Sequence, residues 1–342
     1  MDTTTLIDTA VAMVCAGKGI LAADESTSTI GKRFDGIDTL STEATRRAYR
    51  ELLFTSPGME QYISGVILYD ETLRQCAADG TPFPKLLSDK GVLPGIKVDA
   101  GVHDLAGFPG ETVTEGLDGL RQRLHEYAGL GARFAKWRAV INVDTATGLP
   151  TAGGIEANAH ALARYAALCQ EAGVVPIVEP EVLMDGSHDI AACEAATAAT
   201  LASVFAVLRA QRIVLEGIVL KPNMIVSGKD CPVQSEVDEV AQATIRVFRR
   251  LVPAAVPGIA FLSGGQSPQI ATAHLNAMNG LGPLPWELTF SYGRALQETT
   301  LQTWCGEETR VGAAQLEFLL RARLNSAARS GSYTEEMERT AA

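Results

Sequence analysis

The sequence predicts an α/β fold, a (β/α)8 TIM barrel formed by one domain. Eight short apolar runs alternate with longer amphipathic segments, which is the pattern of repeated strand–helix units. No proline-rich or serine-rich linker divides the chain. The eight runs are Gly19–Asp24, Gly65–Asp70, Gly95–Asp99, Phe134–Val140, Val175–Glu181, Gly217–Lys221, Gly258–Gly264 and Leu288–Gly293.

The segments between the runs repeat apolar residues every three or four positions, as helices that pack on a sheet do. A doubly wound open sheet alternates strands and helices too, but it usually carries a glycine fingerprint after its first strand. Residues 24–29 read Asp-Glu-Ser-Thr-Ser-Thr instead, which favours the closed barrel. The clearest helical segments are Ala157–Ala172, Ile190–Arg209, Ser235–Leu251 and Ala313–Leu324. We expect a single domain over residues 1–342, with an N-terminal helix and a short C-terminal tail over about residues 328–342.

Composition and charge argue against several kinds of partner. The formal net charge of −11 gives no general attraction for nucleic acid or for an anionic membrane. The six cysteines are scattered without a CxxC pair, which suits a reducing compartment and predicts a cytoplasmic location. The start of the chain does not resemble a signal peptide, and the longest apolar runs look strand-sized, so we expect no membrane span.

Metal chemistry is disfavoured as well. The five histidines form no HxxxH or HxH cluster, so a zinc site would need ligands from distant parts of the chain. We therefore predict a site without a metal ion and without a cofactor.

Four charged residues each close a short apolar stretch, Asp24 and Lys221 at the end of a run and Lys136 and Glu179 within one. An amine attacks a ketone only when uncharged, whereas a free lysine has a pKa of about 10.4. Apolar surroundings and a neighbouring cation favour the uncharged amine. Lys221 has apolar flanks, and Lys136 is the candidate for the second cation. Either lysine alone is explained more simply as a strand-end charge that reaches solvent, but two lysines with two acids favour amine chemistry on a carbonyl compound.

Two glutamates lie two positions apart and therefore face the same side of one strand. Forming an imine requires a group that delivers and removes protons, so we expect one of Glu179 and Glu181 to transfer protons while the other holds a lysine. A structural ion pair in the barrel mouth explains Glu181 equally well. Asp24 is placed to act as a base or as an orienting group, since a buried acid requires hydrogen bonds or a cationic partner.

Small residues follow the seventh and eighth runs, where barrels commonly bind phosphate through backbone N–H groups and helix N-termini. They are Ser263-Gly264-Gly265 and Ser291-Tyr292-Gly293-Arg294. Arg294 can add a bidentate contact. A Ser-Gly-Gly segment alone is an ordinary turn, but its place after the seventh run indicates an anion site.

Seven segments, in the family's order, resemble the class I fructose-bisphosphate aldolases. The resemblance extends from about Gly17 to Tyr333. The segments are Leu21–Ser26, Gly95–Asp99, Phe134–Arg138, Val178–Glu181, Leu220–Met224, Phe261–Ser267 and Phe290–Leu296.

The resemblance implies reversible cleavage of fructose 1,6-bisphosphate to dihydroxyacetone phosphate and glyceraldehyde 3-phosphate, in glycolysis and gluconeogenesis. Lys221 would form the Schiff base, Glu179 would serve carbinolamine dehydration, Asp24 would deprotonate the C4 hydroxyl, and Lys136 would tune these groups. A phosphorylated sugar is the implied substrate, and a homo-oligomer, commonly a tetramer, is the implied assembly. The implied substrate contacts are Ser263, Gly264, Gly265, Gly293 and Arg294 at one phosphate, Ser26, Thr29, Arg33 and Lys97 near the other, and Arg138, Glu181 and Ser291 between them.

Two departures from the family pattern leave alternatives open. Ser28-Thr29 stands where a glycine–serine pair is usual, which stiffens the loop at the second phosphate. The sequence ends in alanine where animal relatives carry a tyrosine that assists proton exchange, and Tyr333 is not expected to inherit that role. An aldolase for another phosphorylated sugar, such as fructose 1-phosphate or sedoheptulose bisphosphate, and a binding or scaffolding protein without turnover are the alternative functions.

Overall fold

The computed structural model, which describes residues 2–339, contains a closed barrel of eight parallel strands, so the predicted TIM barrel is confirmed. The strands are β1 Gly19–Ala23, β2 Ile63–Leu68, β3 Leu93–Lys97, β4 Gly101–Asp104, β5 Thr112–Glu115, β6 Phe134–Ile141, β7 Val175–Val182, β8 Val219–Leu220, β9 Gly258–Phe261 and β10 Glu287–Tyr292. Around the barrel the strand order is β1, β2, β3, β6, β7, β8, β9, β10, and β10 pairs with β1.

Helices surround this sheet, and each of the four predicted helical segments corresponds to a helix, with only residues 172, 235 and 236 falling outside. The helices are α1 Thr3–Met13, α2 Thr27–Asp35, α3 Glu43–Thr55, α4 Asp70–Arg74, α5 Phe83–Asp89, α6 Leu120–Gly129, α7 Ala152–Glu171, α8 Ile190–Ala210, α9 Val237–Leu251, α10 Pro268–Asn279, α11 Arg294–Trp304, α12 Val311–Arg329 and α13 Glu336–Arg339.

Two helices are longer than predicted, each for a local reason. The first turn of α7 contains Gly153 and Gly154, which are not typical of a helix, so the sequence did not indicate where the helix begins. The Thr151 side chain caps this end by accepting from the Gly154 N–H. The last turn of α12 includes Asn325 and Ser326, which interrupt the apolar pattern. Both are bonded inside the fold, because Asn325 Oδ1 accepts from Thr272 and Ser326 donates to the Gly17 carbonyl.

A two-stranded antiparallel hairpin, β4–β5, follows β3 and was not predicted. Its strands have four residues each, and β4 is mostly exposed, so no hydrophobic alternation marks it. The hairpin contacts the barrel where the Thr114 hydroxyl donates to the Arg138 carbonyl. It therefore builds up the rim beside β6.

The interior of the barrel is filled from its N-terminal end. Leu6 and Met13 of α1 belong to a buried cluster with side chains from inside the barrel, among them Phe134. Gly95 makes room for that ring, because a Cβ at this position would lie 2.2 Å from Phe134. With this end packed, the open cavity lies at the carboxyl ends of the strands.

One helix in the described part of the chain, α8, is long and apolar enough to cross a membrane. It has 21 residues, and an 18-residue window within it has a mean hydropathy of 1.7. The expectation that the longest apolar runs are strand-sized was therefore wrong. α8 packs between α7 and α9 outside the barrel, and its buried face includes Leu201, Val204 and Leu208. A core helix of a soluble protein passes the same length and composition test.

Candidate active site

Four charged side chains meet at the carboxyl end of the barrel. Lys136 lies in β6 and Glu179 in β7, while Asp24 and Lys221 directly follow β1 and β8. β1 and β6 are not neighbours in the sheet, but closure of the barrel brings Lys136 Nζ to 2.8 Å from Asp24 Oδ2. The predicted constellation is therefore assembled across the barrel mouth.

Glu179 lies between the two lysines. Its Oε1 is 3.1 Å from Lys221 Nζ, and its Oε2 is 3.6 Å from Lys136 Nζ. All three side chains are 5% exposed. Oε2 is buried and has no hydrogen-bond partner in the described part of the protein. This carboxyl group contacts the candidate nucleophile and retains an oxygen that can accept or deliver a proton.

The charges on Lys136 and Asp24 stabilise each other. Burial alone would lower the pKa of Lys136, but the carboxylates of Asp24, Glu179 and Asp99 hold that pKa above its ordinary value. Burial alone would raise the pKa of Asp24, but Lys136 and then Lys221 lower it to about 2. Near neutral pH the raised pKa favours the cationic form of Lys136, and the lowered pKa favours the anionic form of Asp24.

The lowered pKa of Asp24 predicts a stability effect in acid. The ionised form is favoured by folding, so its contribution is complete above the unfolded pKa of 3.8 and is lost as pH falls towards about 2. That contribution is on the order of 2 kcal/mol. Urea unfolding of the parent and of Asp24→Asn at pH 6 and pH 3 should give a stability difference that narrows by about 1 kcal/mol at pH 3. A difference that is independent of pH would contradict this prediction.

Glu181 does not hold a lysine but forms an ion pair in the barrel mouth, the alternative that the sequence left open for it. Its Oε2 instead forms a short ion pair with the guanidinium of Arg138. The two residues lie on neighbouring strands, β6 and β7, and their side chains meet at the cavity wall. Both lysines are instead paired with Glu179, at 3.1 and 3.6 Å.

Asp99 was missed as a site residue. Its Oδ1 is 2.5 Å from Lys97 Nζ, and its buried Oδ2 is 3.9 Å from Lys136 Nζ. The available signal was its position, because Asp99 closes the third apolar run just as Asp24 closes the first. Asp99 therefore links the lysine at the cavity wall to the central cluster.

Two adjoining cavities, of about 620 and 260 Å³, contain all sixteen predicted site residues in their walls. Lys221, Glu179, Arg33, Arg138 and Gly293 line both cavities, so the two form one continuous cleft. The larger cavity is further lined by Asp24, Ser26, Thr29, Lys97 and Lys136, and the smaller by Glu181, Ser263, Gly264, Gly265, Ser291 and Arg294.

The smaller cavity has the features of an anion site. Gly264 and Gly265 have φ angles of 58° and 90°, a conformation that favours glycine. Gly293 precedes α11, and no side chain caps the N-terminus of this helix. The Ser291 hydroxyl is buried without a hydrogen-bond partner among the described residues. Uncapped N–H groups and a free hydroxyl together suit a phosphate group.

The opposite end of the cleft is lined by hydroxyls and an arginine. Ser26 Oγ is 3.0 Å from both Ser28 Oγ and Thr29 Oγ1, so the altered Ser28-Thr29 pair forms a hydroxyl cluster at the start of α2. Arg33 is held by Glu25, whose other oxygen pairs with buried Arg50. Glu25 therefore fixes the position of a cation at the cavity wall.

Among residues 2–339 no group of three or more His, Cys, Asp or Glu side chains is arranged to hold a metal ion. The expectations for the end of the chain fall partly on residues 340–342, which lie outside the described part. Tyr333 is described: it is 7% exposed, and its hydroxyl donates to Glu338 Oε1. Glu338 in turn pairs with buried Arg321.

The fold and the site define a class of enzyme, a TIM-barrel lyase that uses lysine chemistry on a phosphorylated carbonyl compound. The family model described as "Glycolytic: Fructose-bisphosphate aldolase class-I" matches residues 5–342, and the chain belongs to this family. The resemblance inferred from the sequence is thereby confirmed.

Individual relatives match over almost their whole length. A probable fructose-bisphosphate aldolase class 1 from Xanthomonas campestris is 58% identical, covering 96% of this chain and 98% of the relative. Fructose-bisphosphate aldolase 5, cytosolic, from Arabidopsis thaliana is 56% identical, covering 96% and 91%. The crystal structure of fructose-bisphosphate aldolase from Plasmodium falciparum, in complex with TRAP and a small-molecule inhibitor, superimposes with a TM-score of 0.96 at 49% identity, covering 97% and 95%.

Proposed function

We propose that the protein cleaves fructose 1,6-bisphosphate reversibly through an imine formed at Lys221. The observation that carries the proposal is the continuous contact from Lys221 through Glu179 and Lys136 to Asp24 in a buried cleft. This reaction requires one amine, one proton-transferring acid, one fixed cation and one anionic base.

Imine formation uses the Lys221–Glu179 pair. Nζ attacks the C2 ketone and gives a carbinolamine, which loses its hydroxyl as water when Glu179 delivers a proton. The carboxylate Oε1 lies 3.1 Å from Nζ, so the same group is within reach of the atoms that exchange protons. The product is a protonated imine, which withdraws electrons from the C3–C4 bond.

Cleavage uses Asp24. Loss of the C4 hydroxyl proton to its carboxylate lets the C3–C4 electron pair move towards the imine, so that glyceraldehyde 3-phosphate leaves and an enamine remains. Lys136, held 2.8 Å from Asp24, keeps that base ionised and in place. Protonation of the enamine at C3 and hydrolysis of the imine then release dihydroxyacetone phosphate and free Lys221.

The two ends of the cleft match the two phosphates of this substrate. Gly264, Gly265, Ser291 and the N-terminus of α11 support a phosphate on C1 in the smaller cavity. Ser26, Thr29, Arg33 and Lys97, in the larger cavity, support the phosphate on C6. Arg138, paired with Glu181, lines both cavities and would contact the sugar between them.

Steady-state kinetics in the presence of EDTA test both the substrate and the metal independence of the reaction. We expect turnover of fructose 1,6-bisphosphate to be unaffected by the chelator, because lysine chemistry supplies the electron withdrawal that a metal ion would otherwise supply. Loss of turnover with EDTA would contradict the mechanism.

The same assay distinguishes the alternative functions. Fructose 1-phosphate, which lacks the second phosphate, should give a kcat/KM lower by about tenfold or more, because the charge-assisted contacts at the C6 end are lost. An equal or higher kcat/KM for fructose 1-phosphate or for sedoheptulose bisphosphate would reassign the substrate. Absence of turnover on all of these sugars would instead favour the binding or scaffolding protein.

Three further properties belong to this proposal. We infer one domain over residues 1–342 with a short C-terminal tail, because the family model spans nearly the whole chain. A cytoplasmic location is supported by plant relatives named as cytosolic or cytoplasmic. A homo-oligomer, by resemblance a tetramer, can be tested by light scattering during size-exclusion chromatography.

A further inference from the structure

A third cavity, of about 440 Å³, lies between α9 and α10, on the far side of the Gly264-Gly265 loop from the catalytic cleft. Its volume and mainly apolar lining are those of small-molecule sites. Lys229 and Gly265 line both this cavity and the smaller active-site cavity, so they form a shared wall. The apolar lining side chains are Met184, Val226, Val237, Val240 and Ile270.

The polar group of interest in this cavity is His274, which is 4% exposed. Its Nδ1 lies 2.6 Å from Gln266 Oε1, and Gln266 Nε2 donates to the Ser263 carbonyl at 3.0 Å. The amide orientation follows from chemistry, because the reverse orientation would place Oε1 against another oxygen. Gln266 Oε1 is thus an acceptor, and His274 Nδ1 must carry the hydrogen.

The other ring nitrogen, Nε2, therefore presents a lone pair. It has no hydrogen-bond partner in the described part of the chain, while His274 lines the cavity. Burial lowers the pKa of His274 to about 4, so the ring is neutral near pH 7. Nε2 is not itself fully buried, so it is accessible from the cavity, where a hydrogen-bond donor can reach it.

The other neutral polar side chains of the cavity are already bonded within the protein. Ser227 and Ser235 bond each other at 3.0 Å, and Gln234 donates to two backbone carbonyls. At the shared wall Lys229 is neutralised by Asp185, 2.6 Å away. The cavity therefore offers apolar surface, the open acceptor of His274 and, at its wall, the carboxylate of Glu236, with no free cation to attract an anion among these residues.

We propose that the α9–α10 cavity is a second ligand site, for a small uncharged molecule with an apolar ring and one hydrogen-bond donor directed at His274 Nε2. Occupancy would reach the active site through the chain from His274 to Gln266 to the Ser263 carbonyl, and through the wall at Gly265. This second statement rests on the proposed function, because it assigns the loop at Ser263 to substrate phosphate.

Phenol is a suitable probe, and anisole, in which a methyl group replaces the hydroxyl hydrogen, is its matched control. Ligand-observed NMR titration should give a phenol Kd of about 1 mM, a strength within the limit for so small a ligand. Anisole should bind about fivefold more weakly, because the bond to Nε2 is lost. No phenol binding at 10 mM, or equal binding of the two probes, would overturn the site.

Two variants locate the binding. His274→Phe removes the acceptor and should abolish the preference for phenol over anisole. Ile270→Trp places a large side chain at the mouth of the cavity and should weaken the binding of both probes about tenfold or more. Ile270 is 44% exposed, so this variant remains informative if His274→Phe does not fold. Unchanged phenol binding in Ile270→Trp would place the probe elsewhere and refute the assignment.

The coupling is read from kinetics at saturating phenol. The KM for the bisphosphate should change about two- to fivefold with little change in kcat. The change in KM should be absent when anisole replaces phenol, and absent with phenol in the Ile270→Trp variant. An unchanged KM would refute the coupling. Phenol binding to the Lys221→Met variant is expected to match that of the parent. Failure of the proposed catalytic function and failure of the second site therefore give different results.

Discussion

Lys221→Met is expected to lower kcat by about 10⁴-fold or more and to abolish covalent capture of the substrate. Borohydride reduction of the parent enzyme with dihydroxyacetone phosphate should attach a three-carbon phosphate to Lys221, and peptide mass spectrometry should locate it there. Methionine preserves the length and apolar packing of a side chain that is 5% exposed, but it has no nucleophilic nitrogen. The loss of activity would therefore reflect the missing nucleophile and not a packing defect.

Lys85→Met is the matched control, because Lys85 is 64% exposed and pairs only with Asp89 among the described contacts. This variant should retain activity and labelling. Turnover that survives in Lys221→Met, or a label on another lysine of the parent, would refute the imine mechanism.

Glu179→Gln is expected to have the second largest effect, a decrease in kcat of about 10²- to 10⁴-fold. Glutamine preserves the shape of the carboxyl group but cannot exchange a proton, so carbinolamine dehydration should become limiting. It also leaves two lysines without the carboxylate that lies 3.1 and 3.6 Å from them. KM should change much less than kcat, because phosphate contacts at either end of the cleft are intact.

The rate of borohydride-trapped imine formation, measured in rapid-quench experiments, should fall in parallel with kcat. Glu194→Gln is the control, since this glutamate forms an ion pair with Arg246 on the outer helices. If Glu179→Gln formed the imine at the parent rate, the acid–base role would belong to another group, with Asp24 as the first candidate.

Much of the fold could be predicted because each barrel strand is recognisable from its own short stretch of sequence. Buried parallel strands are short apolar runs, and all eight runs correspond to strands of the barrel. Their bounds moved by at most three residues, and β8 is only Val219–Leu220, because pairing with neighbours decides where a ladder begins and ends. The β4–β5 hairpin was missed because it is mostly held by its own pairing at the rim.

The residues of the site could also be predicted in large part, because their positions relative to the apolar runs are a local property of the sequence. A charged residue at the end of an apolar run must lie at the carboxyl end of the barrel, which identifies Asp24 and Lys221 without any coordinates. The partner of each charge is not encoded locally. Glu181 was expected to be able to hold a lysine and pairs with Arg138 instead, while Asp99 carried the same positional signal and was passed over.

The sequence alone determined the barrel, its open end and the set of charged residues at that end, because side-chain alternation and apolar runs are properties of neighbouring residues. Only the tertiary structure decided that Glu179 lies between the two lysines, that Asp24 reaches Lys136 from a non-adjacent strand, and that His274 keeps an open nitrogen. These contacts join residues far apart in the chain. Their distances follow from closure of the barrel and packing of its helices, which no local pattern specifies.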